Sequence, residues 1–472
     1  MAMTRSKRRT SKGVQTMADP TLRREERKSA GKALRQRVPH ESHGTWSPAA
    51  TRRDVVEQVI EANRGRIADL VPIRHGRMMV SPFTFFRGAA NVMAADLAGT
   101  PASGITTQLC GDCHLLNMGG FATPERRMIF DINDFDETLP GPWEWDVKRL
   151  AASVVLASRS NGFGRAHQRD AVLSCVREYR ERMAEFGAMH PIDVWYARVD
   201  LSAGLKRMHD PGSVARARKR LAKEQARAVS EHRFPDTVVQ QDGRSVIKDA
   251  PPLIVHHGFL DRDNGRQIVE EFFGDCRMSM ADDRRALLDR FRLQDVALKV
   301  VGVGSVGTLC AVILLQADGT DPLLLQFKEA RRSVLDGHLP KSAYRNQGQR
   351  VVEGQRLMQA ASDIFLSWSQ GHDVKRRHFY VRQLRDVKLK PAVDTYSPST
   401  MVDYASVCGW ALARAHARAG DAAMISGYLG RKDGFDKAIA RFGVSYADQS
   451  ERDHAAFMAA IRGGRVQALP DQ

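Results

Sequence analysis

Two short stretches carry the residues most able to do chemistry. The first is Gly111-Asp112-Cys113-His114-Leu115-Leu116-Asn117, and the second is Asp134-Phe135-Asp136-Glu137. An Asp five positions ahead of an Asn suits metal-assisted phosphoryl transfer: the carboxylate accepts a proton from an attacking hydroxyl, and the amide oxygen holds a divalent cation. A second acid, on the next hairpin, completes the metal site. Asp134 is the first choice, with Asp131 and Asp136 as close competitors. The flanks supply the elements that must position them. Thr107-Gln108-Leu109-Cys110 reads as a strand leading in, and Met128-Ile129-Phe130-Asp131-Ile132 as a strand leading to the second acid.

A second constellation lies far downstream. Gly302-Val303-Gly304-Ser305-Val306-Gly307 fits G-x-G-x-x-G. A dinucleotide fold needs a helix after that motif. Here Leu309 to Leu315 is apolar over a strand's length, so a glycine-rich hairpin is the better reading. Glycines in such a hairpin let backbone N–H groups approach phosphate oxygens. The strand Leu323–Lys328 follows and carries Lys328, in the place where the kinase-like folds this arrangement resembles put the lysine that contacts the phosphates. Glu353, on the next predicted helix, is expected to pair with it. Glu329 points to the other sheet face.

The sequence GDCHLLN followed by NDFDETLPGPWEWDVKRLAAS resembles the catalytic core of aminoglycoside phosphotransferases and choline kinases over about forty contiguous residues. That resemblance implies Asp112 as base, Asn117 and Asp134 as ligands of Mg2+, and Asp146 bracing the loop from a helix start. It implies ATP as the nucleotide, with Gly302, Gly304, Gly307, Lys328 and Glu353 around it. His114 is a supporting residue that reads first as a structural histidine bonded to backbone; Arg87 is one that reads equally as a brace or substrate contact and as an ordinary helix salt bridge, and Asp136 is a further supporting acid. The resembled families place the glycine hairpin and lysine before the catalytic loop; here they come about 190 residues after it. The expected fold is therefore α+β and two-lobed, protein-kinase-like, with the lobes permuted in sequence order. The whole chain also resembles the uncharacterised bacterial domain-of-unknown-function family 2252, through SPFTFFRGAA, GDCHLLNMGGF, FDINDFDETLPGPWEWD, VGVGSVGT, LQFKEA and RQLRDVK.

Five segments follow from the pattern. Residues 1–48 form a disordered basic tail, and 49–204 the catalytic-loop half of a helical lobe. Residues 205–290 connect, 291–390 form a small glycine-hairpin sheet lobe with a helix, and 391–472 complete the helical lobe. Helices are expected over 52–70, 81–97, 144–161, 166–187, 205–232, 342–361, 401–419 and 433–461. Ser81 caps the second and Pro82 takes its first turn.

Composition bounds the rest. With 43% hydrophobic and 27% charged residues the 472-residue chain can bury a large core, and no stretch approaches the run of about 18 apolar residues that a membrane span needs. The basic N-terminus lacks an apolar segment after its charges, so it is not read as a secretory signal, and the cytoplasm is the expected location. The net charge is +17, and residues 1–40 hold 12 Lys and Arg against Asp19, Glu25 and Glu26. Such a tail can touch nucleic acid or an acidic surface, although a solvated tail is the simpler reading. The run Ala215–Lys223 reads as a solvated basic helix face. The six cysteines include Cys110-Gly-Asp-Cys113; with no second pair at zinc spacing, they read as small buried thiols.

The function expected from these residues is ATP- and Mg2+-dependent phosphotransfer to an acceptor, a small molecule in preference to a protein. The alternatives are a catalytically silent nucleotide-binding or interaction module and a nucleic-acid-associated basic protein.

Overall fold

A computed structural model describes residues 21–470 apart from 207, 234–236, 242, 257–264, 301, 319–320, 372–375 and 385–387. It is a mixed α+β structure with small antiparallel sheets.

The helical body is built from Glu144–Ser160, Arg165–Ala188, Pro398–Ala419, Ala422–Leu429 and Gly434–Arg462. Small residues let these helices approach closely. A Cβ on Gly409 would lie 2.1 Å from the Cys175 carbonyl oxygen, so only glycine permits the 398–419 and 165–188 helices to touch there. Trp143, Tyr179, Tyr428 and Phe435 are buried in this core, with Trp143 and Tyr179 stacked at 5.7 Å. All six cysteines are free and buried.

The expected disorder of residues 1–48 is corrected for part of that range. Arg24–Arg37 is a helix docked on the 422–429 helix. Gly31 and Gly427 allow it: a Cβ on either would come within 2.0 Å of a backbone oxygen of the opposing helix. Arg27 pairs with Asp421 at 3.0 Å, and His43 is hydrogen-bonded to the Tyr428 hydroxyl at 2.6 Å. Charge count alone suggested a solvated tail, but the backbone contact depends on two glycines far apart in sequence. Residues 1–20 lie outside the described residues.

Six strands form one antiparallel sheet, in the order Ser367–Gln370, His378–Gln383, Asp321–Ala330, Cys310–Ala317, Arg292–Lys299 and Ile254–Val255. Successive side chains alternate between its faces. Ile313, Leu315, Leu323 and Leu325 pack with Phe272 and Phe379 on one side, while Val312, Leu314 and Leu324 pack with Val238 and Ile247 on the other. Both faces are covered, which is why these strands read as unbroken apolar runs. Asp318 takes a left-handed φ of 45° in the turn between two of them. The helix Gln347–Met358 lies beside this sheet.

Several expected helices are interrupted. The 52–70 segment yields Val55–Glu61 and a short 3-10 turn at Ala68–Leu70, with Gly65 at φ 78° between them. The 81–97 segment is two helices, Pro82–Gly88 and Ala90–Leu97, broken at Ala89. The break leaves the Gly88 carbonyl free to accept from Arg74 at 2.6 Å. Ser81 caps the first of these, its hydroxyl accepting from the Thr84 amide at 3.1 Å.

Candidate active site

The loop that carries Asp112 is held from several sides. Thr106–Leu109 leads in, paired with Leu139–Pro142. Gly111 then adopts φ 83°, and a Cβ there would lie 2.3 Å from the Glu137 carbonyl oxygen, so the turn admits only glycine. The Asp146 carboxylate accepts from the amides of Cys110 at 2.8 Å and Gly111 at 3.0 Å. His416 Nε2 stands 3.3 Å from the same carboxylate, and its Nδ1 is 2.8 Å from the Tyr179 hydroxyl. Ser153 accepts from the Leu115 amide, and the Tyr404 hydroxyl donates to the Leu115 and Met118 carbonyls.

Asp112 emerges from this loop partly exposed. Arg149 Nε donates to its Oδ1 at 2.7 Å, and the Arg149 guanidinium also meets the Phe86 carbonyl and ring. Burial alone would raise the Asp112 pKa; Arg149, His114 and Arg87 outweigh it and hold the carboxyl below its ordinary value. His114 is buried 3.8 Å from Asp112, and burial beside Arg87 and Arg149 lowers it to about 3, so it is neutral at pH 7. The Asn117 side-chain amide donates to the Asp112 carbonyl at 2.9 Å, which fixes the side chain with its oxygen uncommitted to that bond. Arg87 lies near enough to Asp112 to sense its charge, and burial lowers its pKa.

The three competing acids of the next hairpin separate clearly. Asp131 is fully buried, ion-paired with Arg414, and accepts from the Ala360 amide at 2.8 Å. It is a structural acid and leaves the contest for a metal. Asn133 N donates to the Asn117 carbonyl at 2.8 Å, tying the acid loop to the Asp112 loop. Asp134 is half-buried, and one of its oxygens accepts from the Asp136 amide at 3.2 Å. Asp136 accepts from the Lys328 ammonium, from the Tyr380 hydroxyl at 2.7 Å and from the Ser305 hydroxyl at 3.3 Å. Arg350 secures this segment by donating to the carbonyls of Asp136 and Thr138.

Lys328 and Tyr380 are direct partners in the sheet register, so both side chains leave the same face. Lys328 Nζ reaches Asp136 and stands 4.0 Å from Asp134. Burial opposes the lysine charge, but Asp134 and Asp136 outweigh it and keep the ammonium protonated well above the usual lysine range. Burial and the neighbouring Asp136 raise the Asp134 pKa; Asp136 itself, despite burial, is lowered by Lys328 and Tyr380. Two segments about 190 residues apart in sequence thus share one charged cluster.

The 302–307 turn closes over the same cluster through Ser305. It is anchored to the 66–77 segment by Ile67 N to the Gly307 carbonyl at 2.8 Å, Arg66 to the Val306 carbonyl at 2.6 Å, and Arg77 to the Gly302 carbonyl. Gly302 and Gly307 need glycine for their φ values of 64° and 84°. At Gly304 a side chain would approach only the Arg87 carbonyl oxygen, at 3.9 Å, so open space lies above it.

The expected Lys328–Glu353 pair is corrected: Glu353 bonds Arg356 at 3.2 Å on its own helix, and Asp136 takes the lysine. Glu329, on the opposite face from Lys328, accepts from the Leu309 amide at 2.9 Å. Two neighbours went unread in the sequence. Arg149 had a signal, since it lies one helical turn beyond Asp146 and therefore on the same face. Tyr380 had none, because cross-strand register is not written in either strand alone.

Mg2+ takes hard oxygen donors, usually one or two carboxylates with waters and phosphates. Asn117, Asp134 and Asp136 offer such donors at the meeting of the two loops. Among the described residues no three His, Cys, Asp or Glu side chains are arranged to hold a metal ion by themselves, so an ion here would take further oxygen donors, water or phosphate among them, to complete its shell. No described helix is long and apolar enough to cross a membrane.

No curated protein and no solved structure matches the chain. The model of a family described as an uncharacterized protein conserved in bacteria (DUF2252) matches residues 66–460, and the chain belongs to that family.

Proposed function

We propose that this protein is a kinase-like phosphotransferase that uses ATP and Mg2+ on a small-molecule hydroxyl, with its two lobes permuted in sequence. The observation that carries the reading is the Lys328 contact with Asp136 and Asp134 beneath the 302–307 turn. A lysine, a glycine turn and paired acids all facing one place are the parts that position a triphosphate. Bound Mg2+·ATP supplies the transferable phosphoryl group and neutralises its charge.

The chain's residues have separable roles in this reading. Asn117 and Asp134 hold the ion, with Asp136 holding Lys328 in place. Lys328 neutralises phosphate charge, and the amides around Gly304 approach the phosphates where no Cβ intrudes. Asp112 orients the acceptor hydroxyl and receives its proton late. A weak base suffices for that, because little proton transfer is needed until the bond to phosphorus is nearly made. Asp146 and His416 act only by holding the loop.

A second reading is a nucleotide-binding module without turnover, and one observation favours it: Arg149 already occupies Asp112. ADP formation from ATP with Mg2+, measured alone and with a panel of small-molecule alcohols as acceptors, separates the two. Under the leading reading the wild type turns over, and Asp112→Asn lowers the rate by about 10²–10⁴-fold while nucleotide binding persists. Nucleotide binding without any wild-type turnover selects the silent module, and an unchanged Asp112→Asn rate rejects Asp112 as base.

A further inference from the structure

A cavity separate from the charged cluster has no role in the phosphotransfer reading. It has a volume of about 140 Å³ and lies behind the 118–122 strand, between that strand, the 201–206 and 211–233 helices and the start of the 398–419 helix. Its body is apolar, formed by Phe130, Leu205, Met208, Leu389, Tyr404 and Val407. Its mouth is basic. Arg216 and Arg220 line it from one helix, one turn apart, together with Lys390.

The charges at the mouth are not balanced by the cavity's own lining, which contains no acid. Arg216 donates to Ser213 at 2.7 Å and stands 3.5 Å from Asp210, the one carboxylate near it among the described residues. Arg220 donates to the Lys390 carbonyl at 3.1 Å, and among the described residues no carboxylate pairs with it. An apolar chamber with an arginine mouth fits a guest with an apolar body and an anionic end, and a planar carboxylate matches guanidinium geometry. Cavities of about 150 Å³ lined by apolar side chains accept guests the size of benzene, which limits the body here to about six to eight carbons.

We propose that this cavity binds a small amphiphilic carboxylate, an acyl or aryl acid, with its apolar body against Phe130, Met208 and Val407 and its carboxylate at Arg220 and Arg216. The site shares a wall with the Asp112 loop through Tyr404, whose hydroxyl holds the Leu115 and Met118 carbonyls. Its existence does not depend on phosphotransfer.

Calorimetric titration of the full chain with octanoate, octylamine and octanol tests it. Octanoate binds saturably, and the amine and the alcohol bind at least about tenfold more weakly, the size expected for loss of a charge-assisted contact. Two variants locate the site. Gly204 lines the cavity, and a Cβ there meets only Val407, at 3.9 Å; Gly204→Phe fills the chamber and abolishes binding. Arg220→Glu is an exposed change that leaves the melting temperature unchanged and weakens octanoate at least about tenfold. The proposal is overturned if octanoate gives no saturable heat up to millimolar concentration, if octylamine binds as well as octanoate, or if Arg220→Glu binds like the wild type.

Discussion

Glu137 shows how a single side chain beside the cluster couples to pH. Burial raises its pKa to about 7, partly offset by the bond it accepts from the Val334 amide at 2.6 Å. Between its ordinary value near 4.5 and about 7, the folded chain keeps a proton that the unfolded chain has released. Stability therefore falls as pH rises across that window and is level above it. Replacing Glu137 by Gln removes the titration, so the wild type should lose roughly 1–3 kcal/mol relative to Glu137→Gln over that window in urea unfolding. Parallel stability curves for the two proteins would show that the carboxyl is not held neutral. The same scale marks what the sequence could tell. Asp112, Asn117 and Asp134 stand out because their spacing is local. Choosing among Asp131, Asp134 and Asp136 needed Arg414, 283 residues from Asp131, which no local pattern reveals. Glu353 failed for the same reason: helical position fixes its neighbours along the helix but not the partner across the cleft.

Elements were legible where one periodicity ran unbroken. Two central strands of the large sheet, near 310–317 and 321–330, and the helices near 144–160, 165–188, 398–419 and 434–462 lie close to where apolar runs and 3.6-residue spacing put them. The misreadings came from tertiary contacts that override local preference. Arg74 and Gly65 break up the segment that reads as two simple helices. The 24–37 helix is polar enough to pass for a tail, yet two glycines seat it. That contact predicts a large effect from a small change. A Cβ on Gly427 would lie 2.0 Å from the Lys28 carbonyl oxygen, so Gly427→Val must push the helices apart. It should cost about 3 kcal/mol, the upper end for overpacking, seen as a lower melting temperature. Gly464, at φ 73° with nothing within 4 Å of its Cβ position, is the control for conformational strain without crowding, and Gly464→Ala should cost about 1 kcal/mol. Equal losses at the two sites would mean that the 24–37 helix is not packed as described.

At the scale of the whole molecule, the chain doubles back so that residues near 112, 136, 305 and 328 meet. The sequence carried both motif sets, but their distance apart hid whether they belong to one site. The ion cluster of Lys328, Asp136 and Asp134 is the physical link, and it is buried enough that losing one member leaves another charge unpaired. The central claim is that this cluster receives a metal-bound triphosphate, and calorimetric titration with ATP measures that directly. Saturable binding at millimolar concentration or tighter, dependent on Mg2+, is expected, and it is lost or weakened at least about tenfold in Lys328→Ala and Asp134→Ala variants that remain folded. Absence of binding by ATP and GTP at millimolar concentration with Mg2+, or binding that both variants retain in full, would contradict it.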